Sequence, residues 1–177
     1  MPTRLSFKVI SSVSAITRPA NTTAYAAGDV ISDTTGDAHH TFDNVLRTKP
    51  TAQDPFLSGT IERALLSSSQ NNTTLKLDGE LWLFHTDVAT AVDNAAIAFT
   101  DAEMLTNIGI IPFPVGDWQV GLATTGVGGN ANCFAENLNM VVKGNVSNNI
   151  FGQLVARNAY APVTGEIFTV TLFMQQD

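Results

Sequence analysis

A chain of 177 residues is most simply one domain, and it is long enough to bury a core of its own. Only 14% of its residues are charged, against about 25% in an average soluble chain, and 16 acidic against 9 basic residues leave a net charge of −7. The nine Lys and Arg are scattered, so the electrostatic footprint of DNA or RNA binding is missing and anionic membrane surfaces are disfavoured. No apolar run approaches the roughly 18 residues of a membrane span.

The first alternation is Leu5, Phe7 and Val9 against Ser6 and Lys8, the period of a half-buried strand. Lys8 and several serines also break any signal-peptide core in this stretch. Pro19 fixes φ and withdraws a donor, so the strand is predicted to stop near Arg18. Ala20 to Thr23 is small and polar, Tyr25 offers one amphipathic anchor, and Gly28-Asp29 supplies turn chemistry before Val30-Ile31 resumes a strand. Thr17 to Val30 therefore reads as an extended connector pinned by a tyrosine, with Pro19, Tyr25 and Gly28 setting its shape. Thr41-Phe42 with Val45 forms the next short strand.

Ile61 to Ser67 is a better strand, bounded by Gly59 and by Ser69-Gln70-Asn71-Asn72. Thr74 to Phe84 alternates most strongly, with Leu75, Leu77, Leu81 and Leu83 on one face. Asp78-Gly79 in its middle is either a tight hairpin turn or a bulge, and the phase kept through Gly79 favours one continuous strand. Val88 to Thr106 is rich in Ala, and Thr100-Asp101-Ala102-Glu103 has the pattern of a capping box, which predicts one or two short helical turns. Ile108 to Phe113 is apolar and closed by Pro112 and Pro114. Trp118 to Leu122 is a short strand, and Thr124 to Asn132 is a Gly/Thr/Asn loop. Leu138, Met140 and Val142 alternate again. Ile150 to Arg157 and Ile167 to Met174 are the last two strands, joined by the turn-rich Ala159 to Gly165. Eight or nine strands without a long amphipathic helix, an internal repeat or a linker make an all-β single domain over residues 1–177. Long crossover connections favour a jelly-roll sandwich of about eight antiparallel strands.

Thr17-Arg18-Pro19-Ala20-Asn21-Thr22-Thr23-Ala24-Tyr25-Ala26-Ala27-Gly28-Asp29-Val30 resembles a segment of virion structural proteins of tailed bacteriophages, of the capsid decoration (cement) type. The similarity continues in order through Asp93-Asn94-Ala95-Ala96, Phe99-Thr100-Asp101-Ala102, Ile108-Gly109, Phe151 to Arg157, Ala159-Tyr160-Ala161-Pro162 and Gly165 to Val170, and so spans most of the chain. The resemblance implies a jelly roll, made in the host cytoplasm and bound to the outside of the assembled capsid shell, which it stabilises. The implied partners are the major capsid protein and other copies of this chain in a homotrimer, with no nucleic acid and no membrane. Low charge suits such an assembly subunit. Contacts are expected on the loops Thr17 to Val30 and Thr34 to Pro55, the latter an arm that orders on assembly. The contact residues expected are Arg18, Asn21, Tyr25, Asp29, Phe42 and Phe56.

Competing chemistry is thin, and neither an enzyme, a cofactor nor a metal is expected. His39-His40 point to opposite sides of an extended chain, which suits a polar loop better than a metal site, although Asp37 and Asp43 flank them. A cupin-type enzyme needs a His-x-His pair, which is missing, so it would have to combine His39 or His40 with His85 and Glu136. Asp33, Asp37 and Asp43 lack the EF-hand spacing. Gly126-Val127-Gly128-Gly129 lacks the dinucleotide spacing. Cys133, the single cysteine, excludes an intrachain disulfide and a Cys-based zinc site, and it reads as a small buried thiol. Asp101 and Glu103 are two of sixteen acids and carry little weight as a glycosidase pair. Sequons at Asn21, Asn71, Asn72 and Asn145 follow from Asn/Thr/Ser-rich loops. Trp82, inside an apolar strand, is expected in the core. Trp118, after Gly116-Asp117, is expected to be exposed. It is the residue on which an alternative function would turn, a tail- or fibre-associated module that stacks on host-surface carbohydrate.

Overall fold

A computed structural model describes residues 8–33, 39–43, 58–70, 76–89, 91–120, 130–143 and 149–176. They form eleven strands: β1 (Lys8–Thr17), β2 (Val30–Ile31), β3 (His40–Phe42), β4 (Ser58–Ser68), β5 (Gly79–Phe84), β6 (Asn107–Phe113), β7 (Trp118–Val120), β8 (Ala131–Ala135), β9 (Met140–Lys143), β10 (Ile150–Ala156) and β11 (Ile167–Gln176). One sheet runs β1-β11-β4-β8-β7, with β9 also paired to β4, and the other runs β2-β10-β5-β6, with β3 also paired to β10.

Two of the strand positions are split. Ser58 to Ile61 of β4 pair with β9, and Ala64 to Ser68 pair with β8. In the same way β10 pairs β3 from Ile150 to Gly152 and β2 at Leu154 and Val155. Counting each split pair once leaves two four-position antiparallel sheets with β7 added at one edge. Apart from the directly paired β5 and β6, successive positions alternate between the sheets, which is the strand order of a jelly roll and the fold class read from the sequence.

A bulge in β4 shows how local sequence serves the core. Phe173 pairs with Arg63 and Met174 with Ile61, so Glu62 is the extra residue. The bulge resets the alternation so that Ile61 and Ala64 both point inward with no exposure. The Glu62 carbonyl, displaced from the ladder, accepts from the Leu138 amide at 3.0 Å, at the point where the partner of β4 changes from β9 to β8. Inside, Leu66, Leu81, Leu83, Ile111, Phe113, Leu154, Phe168 and Leu172 join one cluster drawn from both sheets. Gly152 belongs there because a Cβ would stand 3.0 Å from both Leu81 Cδ1 and Phe42 Cε2.

Several local expectations need correction. The continuous strand from Thr74 to Phe84 is not formed: β5 starts at Gly79, and residues 76–78 lie outside it. Leu77 keeps the inward phase, yet its carbonyl accepts from Trp118 Nε1 at 2.7 Å and so serves no β ladder, while the Asp78 carbonyl accepts from the Arg157 amide at 2.7 Å as the last bond in register with β10. Strand β8 falls partly in a region read as loop. Its inward residues Ala131, Cys133 and Ala135 are too small to give a strong alternation signal. Ile108 to Phe113 lies within β6, where Pro112 is tolerated because β6 is the sheet edge. The helix prediction is met by α1 (Asp101–Met104), whose Thr100 and Glu103 form a reciprocal capping box.

The two outer faces differ. On the β2-β10-β5-β6 sheet, Phe99 packs over Trp82 and Phe84 at centroid distances of 5.6 and 4.7 Å, and Val88 is buried in the same crossing segment. Trp82 thus lies half-buried on this outer face, and not in the core as expected. The opposite sheet has no such cover among the described residues, and Val13 on it is 59% exposed.

Candidate functional site

The connector after β1 is the centre of a buried polar hub. Arg18 and Tyr25 are buried, with the Arg18 guanidinium 4.7 Å from the Tyr25 ring centroid. Arg18 Nε donates to the Tyr25 hydroxyl, and its Nη2 pairs with Asp93 Oδ2 at 3.3 Å. The Tyr25 hydroxyl donates to Asp93 Oδ1 at 2.6 Å, and the same oxygen accepts from the Ser32 amide at 3.1 Å. Burial raises the Tyr25 hydroxyl pKa, and the Asp93 hydrogen bond raises it further. Next to this set, the Tyr160 hydroxyl donates to Glu166 and Ser68 Oγ donates to Glu166 Oε1, so the buried Glu166 carboxylate is satisfied.

Backbone bonds tie the same segments together. Tyr25 and Tyr160 exchange hydrogen bonds of 2.9 and 3.2 Å, and their rings lie stacked 6.4 Å apart. Val30 and Asn94 to Ala95 are joined at 2.8 and 2.9 Å, and the Gly28 amide reaches the Ala156 carbonyl at 2.7 Å. Gly28 takes φ +92°, a conformation that L side chains rarely adopt, and this lets the chain turn into β2. Asn94, at φ 64°, tolerates the left-handed region as Asn does. The resembling segments Thr17 to Val30, Asp93 to Ala96, Ala159 to Pro162 and Gly165 to Val170 therefore meet in one place.

This geometry turns three of the six expected contact residues inward. Arg18, Tyr25 and Phe42 have at most 1% exposure, so the subunit's own interior consumes them and they offer nothing to a partner. Asn21 is exposed, but its Oδ1 accepts from the Thr23 amide at 3.1 Å and from Arg18 Nη2 at 3.4 Å. Asp29 is half-buried, and its carboxylate caps the Ala26 amide at 2.6 Å. Phe56 lies outside the described residues, as does most of the Thr34 to Pro55 stretch. The described part of that stretch, residues 39–43, contains β3 and so belongs to a sheet.

The open sheet face carries several registered rows, among them one of Gln175, Thr60 and Val141 and the three that follow. One is Val13, Thr171, Leu65 and Phe134; the next is Ala15, Thr169, Ser67, Asn132 and Gln119; the third is Ser11, Phe173 and Arg63. Arg63 is the one ionisable side chain in these rows, and its guanidinium lies 4.2 Å from the Phe173 ring centroid. These rows are mixed in polarity and carry one charged side chain, with Glu62 of the bulge beside it.

At the β7 edge of this sheet lies an open cleft of about 540 Å³ lined by Gly116, Asp117, Trp118, Gln119, Phe134 and Glu136. Trp118 is half-buried, against the expectation of exposure, because its indole N–H is engaged by Leu77 and its ring packs on the core. Lys76 Nζ stands 5.7 Å from that ring's centroid, and burial lowers its pKa.

Burial governs His40 and Cys133. His40 is fully buried with neither ring nitrogen in a well-formed hydrogen bond, and burial pushes its pKa down to about 3 against a small opposing effect of the Ser14 backbone. His39, its neighbour, faces Asp87 at 3.2 Å instead. Burial pushes the Cys133 thiol up to about 12, with Asp117 and Asp78 adding to the shift. Among the described residues no group of three His, Cys, Asp or Glu side chains is placed to hold a metal ion, and no helix is long and apolar enough to cross a membrane.

Fold and surfaces together define a jelly-roll protein whose polar interior serves its architecture. No family model and no curated protein matches this sequence. Among solved structures, the chain is similar to one from Desmodium yellow mottle tymovirus at 12% identity, with 99% of this chain and 90% of that chain covered and a TM-score of 0.28. A likeness at that score carries no argument about function.

Proposed function

We propose that this protein is a structural component of a tailed-bacteriophage virion, a decoration protein that binds the outside of the major capsid shell and stabilises it. One observation carries the reading. Four of the segments that resemble phage decoration proteins, far apart in sequence, close into a single hydrogen-bonded hub around Arg18, Tyr25, Asp93, Tyr160 and Glu166.

The open face of the β1-β11-β4-β8-β7 sheet is the surface offered to the shell. Those registered rows carry one charged side chain, with Glu62 beside it, so docking there desolvates few ions, and many copies acting across several capsid subunits add their effects. The role is mechanical, not catalytic, and the subunit acts as a homotrimer on the virion exterior. A density map of the intact virion is the direct test. Regular density at three-fold positions on the head is expected, and density confined to the tail overturns the reading in favour of a tail-associated module. Separately, Val13→Asp should fold normally and fail to rebind shells stripped of the protein. Unchanged rebinding would remove this face as the contact.

A further inference from the structure

The β7–β8 edge holds a cleft that shares only Phe134 and Gln119 with the face assigned to the shell; Gly116, Asp117, Trp118 and Glu136 lie outside its rows. Trp118 lines the cleft with a fixed orientation, since its indole N–H donates to the Leu77 carbonyl at 2.7 Å and the ring is backed by the core. Phe134 supplies a second aromatic wall. Around them stand Asp117, Gln119 and Glu136, all exposed. No hydrogen bond or ion pair engages these three side chains among the described residues, in contrast to the saturated carboxylates of the hub. Gly116 leaves the rim open, as a Cβ there would meet nothing within 4 Å.

We infer that this cleft is a binding site for a neutral carbohydrate. An aromatic face takes the apolar C–H face of a pyranose, while carboxylate and amide oxygens accept hydrogen bonds from its hydroxyls. A volume of about 540 Å³ lies in the range of small-ligand pockets and accommodates one or two sugar rings. The charge pattern selects the neutral class. Asp117 and Glu136 repel acidic sugars. A cationic peptide side chain would compete with Lys76, whose ammonium already lies 5.7 Å from the Trp118 ring centroid. The inference does not depend on whether the protein sits on the head or the tail, so it can fail without touching the proposed function.

Saturation-transfer NMR on the full-length protein tests it. The probes are methyl glycosides of glucose, galactose, mannose and N-acetylglucosamine, with lactose, maltose and cellobiose, and with arginine amide and sialyllactose as charged comparators. Transfer to the ring protons of at least one neutral sugar is expected, with affinity falling by about tenfold or more in Trp118→Ala. Glu136→Gln and Asp117→Asn change exposed side chains and decide the matter if Trp118→Ala fails to fold; each should weaken the same sugar. No transfer to any neutral sugar, binding of arginine amide alone, or binding unaltered in both carboxylate variants overturns the inference.

Discussion

The hub beneath the connector and the cleft beside β7 both combine aromatic rings with carboxylates, yet they do opposite things with them. In the hub, Asp93 meets Arg18, Tyr25 and the Ser32 amide, and Glu166 meets Ser68, Tyr160 and the Val163 amide. In the cleft, Asp117 and Glu136 face solvent with no partner among the described residues. A buried carboxylate must be satisfied within the fold, and one that is satisfied has nothing left to offer a ligand. The difference teaches that a conspicuous polar sequence can mark architecture, while an inconspicuous one can mark availability. His40 is a third case, buried without a well-formed hydrogen bond.

The largest expected effect comes from that third case. The folded pKa of His40, about 3, lies below its unfolded value of 6.5. The unfolded chain therefore binds a proton first as pH falls. Stability is complete above pH 6.5 and declines toward pH 3, with a slope approaching about 1.4 kcal/mol per pH unit where only the unfolded chain is protonated. Urea unfolding between pH 7 and pH 5 reads the histidine before the carboxylates titrate. An equal slope in His40→Leu would show that His40 is not its source.

Breaking the hub comes next. Arg18→Met leaves the Asp93 carboxylate buried without its cation and should destabilise the protein by about 3–5 kcal/mol in denaturant titration. A loss below 1 kcal/mol, roughly the worth of an exposed pair, would mean that the guanidinium is solvated. Tyr25→Phe removes one hydroxyl that both accepts and donates, and it should cost about 1–3 kcal/mol. The tyrosine ring remains in place of a cavity, so the fold should survive and the isolated protein should keep its β-sheet circular dichroism. At the small end, Glu136→Gln in the cleft should change stability by no more than about 0.5 kcal/mol. A larger loss there would erase the contrast between the two regions.

Much of the fold was legible because strand burial has a period of two and the chain obeys it over β1, β4 and β11, while β10 reads as a continuous apolar run buried on both faces. Where the signal failed, a specific interaction had intervened. Leu77 keeps the phase of β5, but the Trp118 indole takes its carbonyl and ends the ladder at Asp78. Strand β8 hides its alternation behind Ala131, Cys133 and Ala135. For the functional surfaces the sequence was a poorer guide. Arg18 and Tyr25 looked like contacts because a polar loop ordinarily lies at the surface, and no local pattern announces that Asp93 and Glu166 will meet them inside. Asp117, Phe134 and Glu136 were not singled out as a cleft, since nothing in their spacing joins them before β7 pairs with β8.

By itself the sequence determined the all-β class, the capping box at Thr100, the shape-setting roles of Tyr25 and Gly28, and the sparse charge of the surface. Each of these follows from short-range chemistry: side-chain period, backbone dihedral preference and composition. Only the tertiary structure decided which polar residues are spent and which are free. Satisfying a buried charge takes partners some seventy residues or more away, as Arg18 and Asp93 or Ser68 and Glu166 show, and sequence proximity does not encode that pairing.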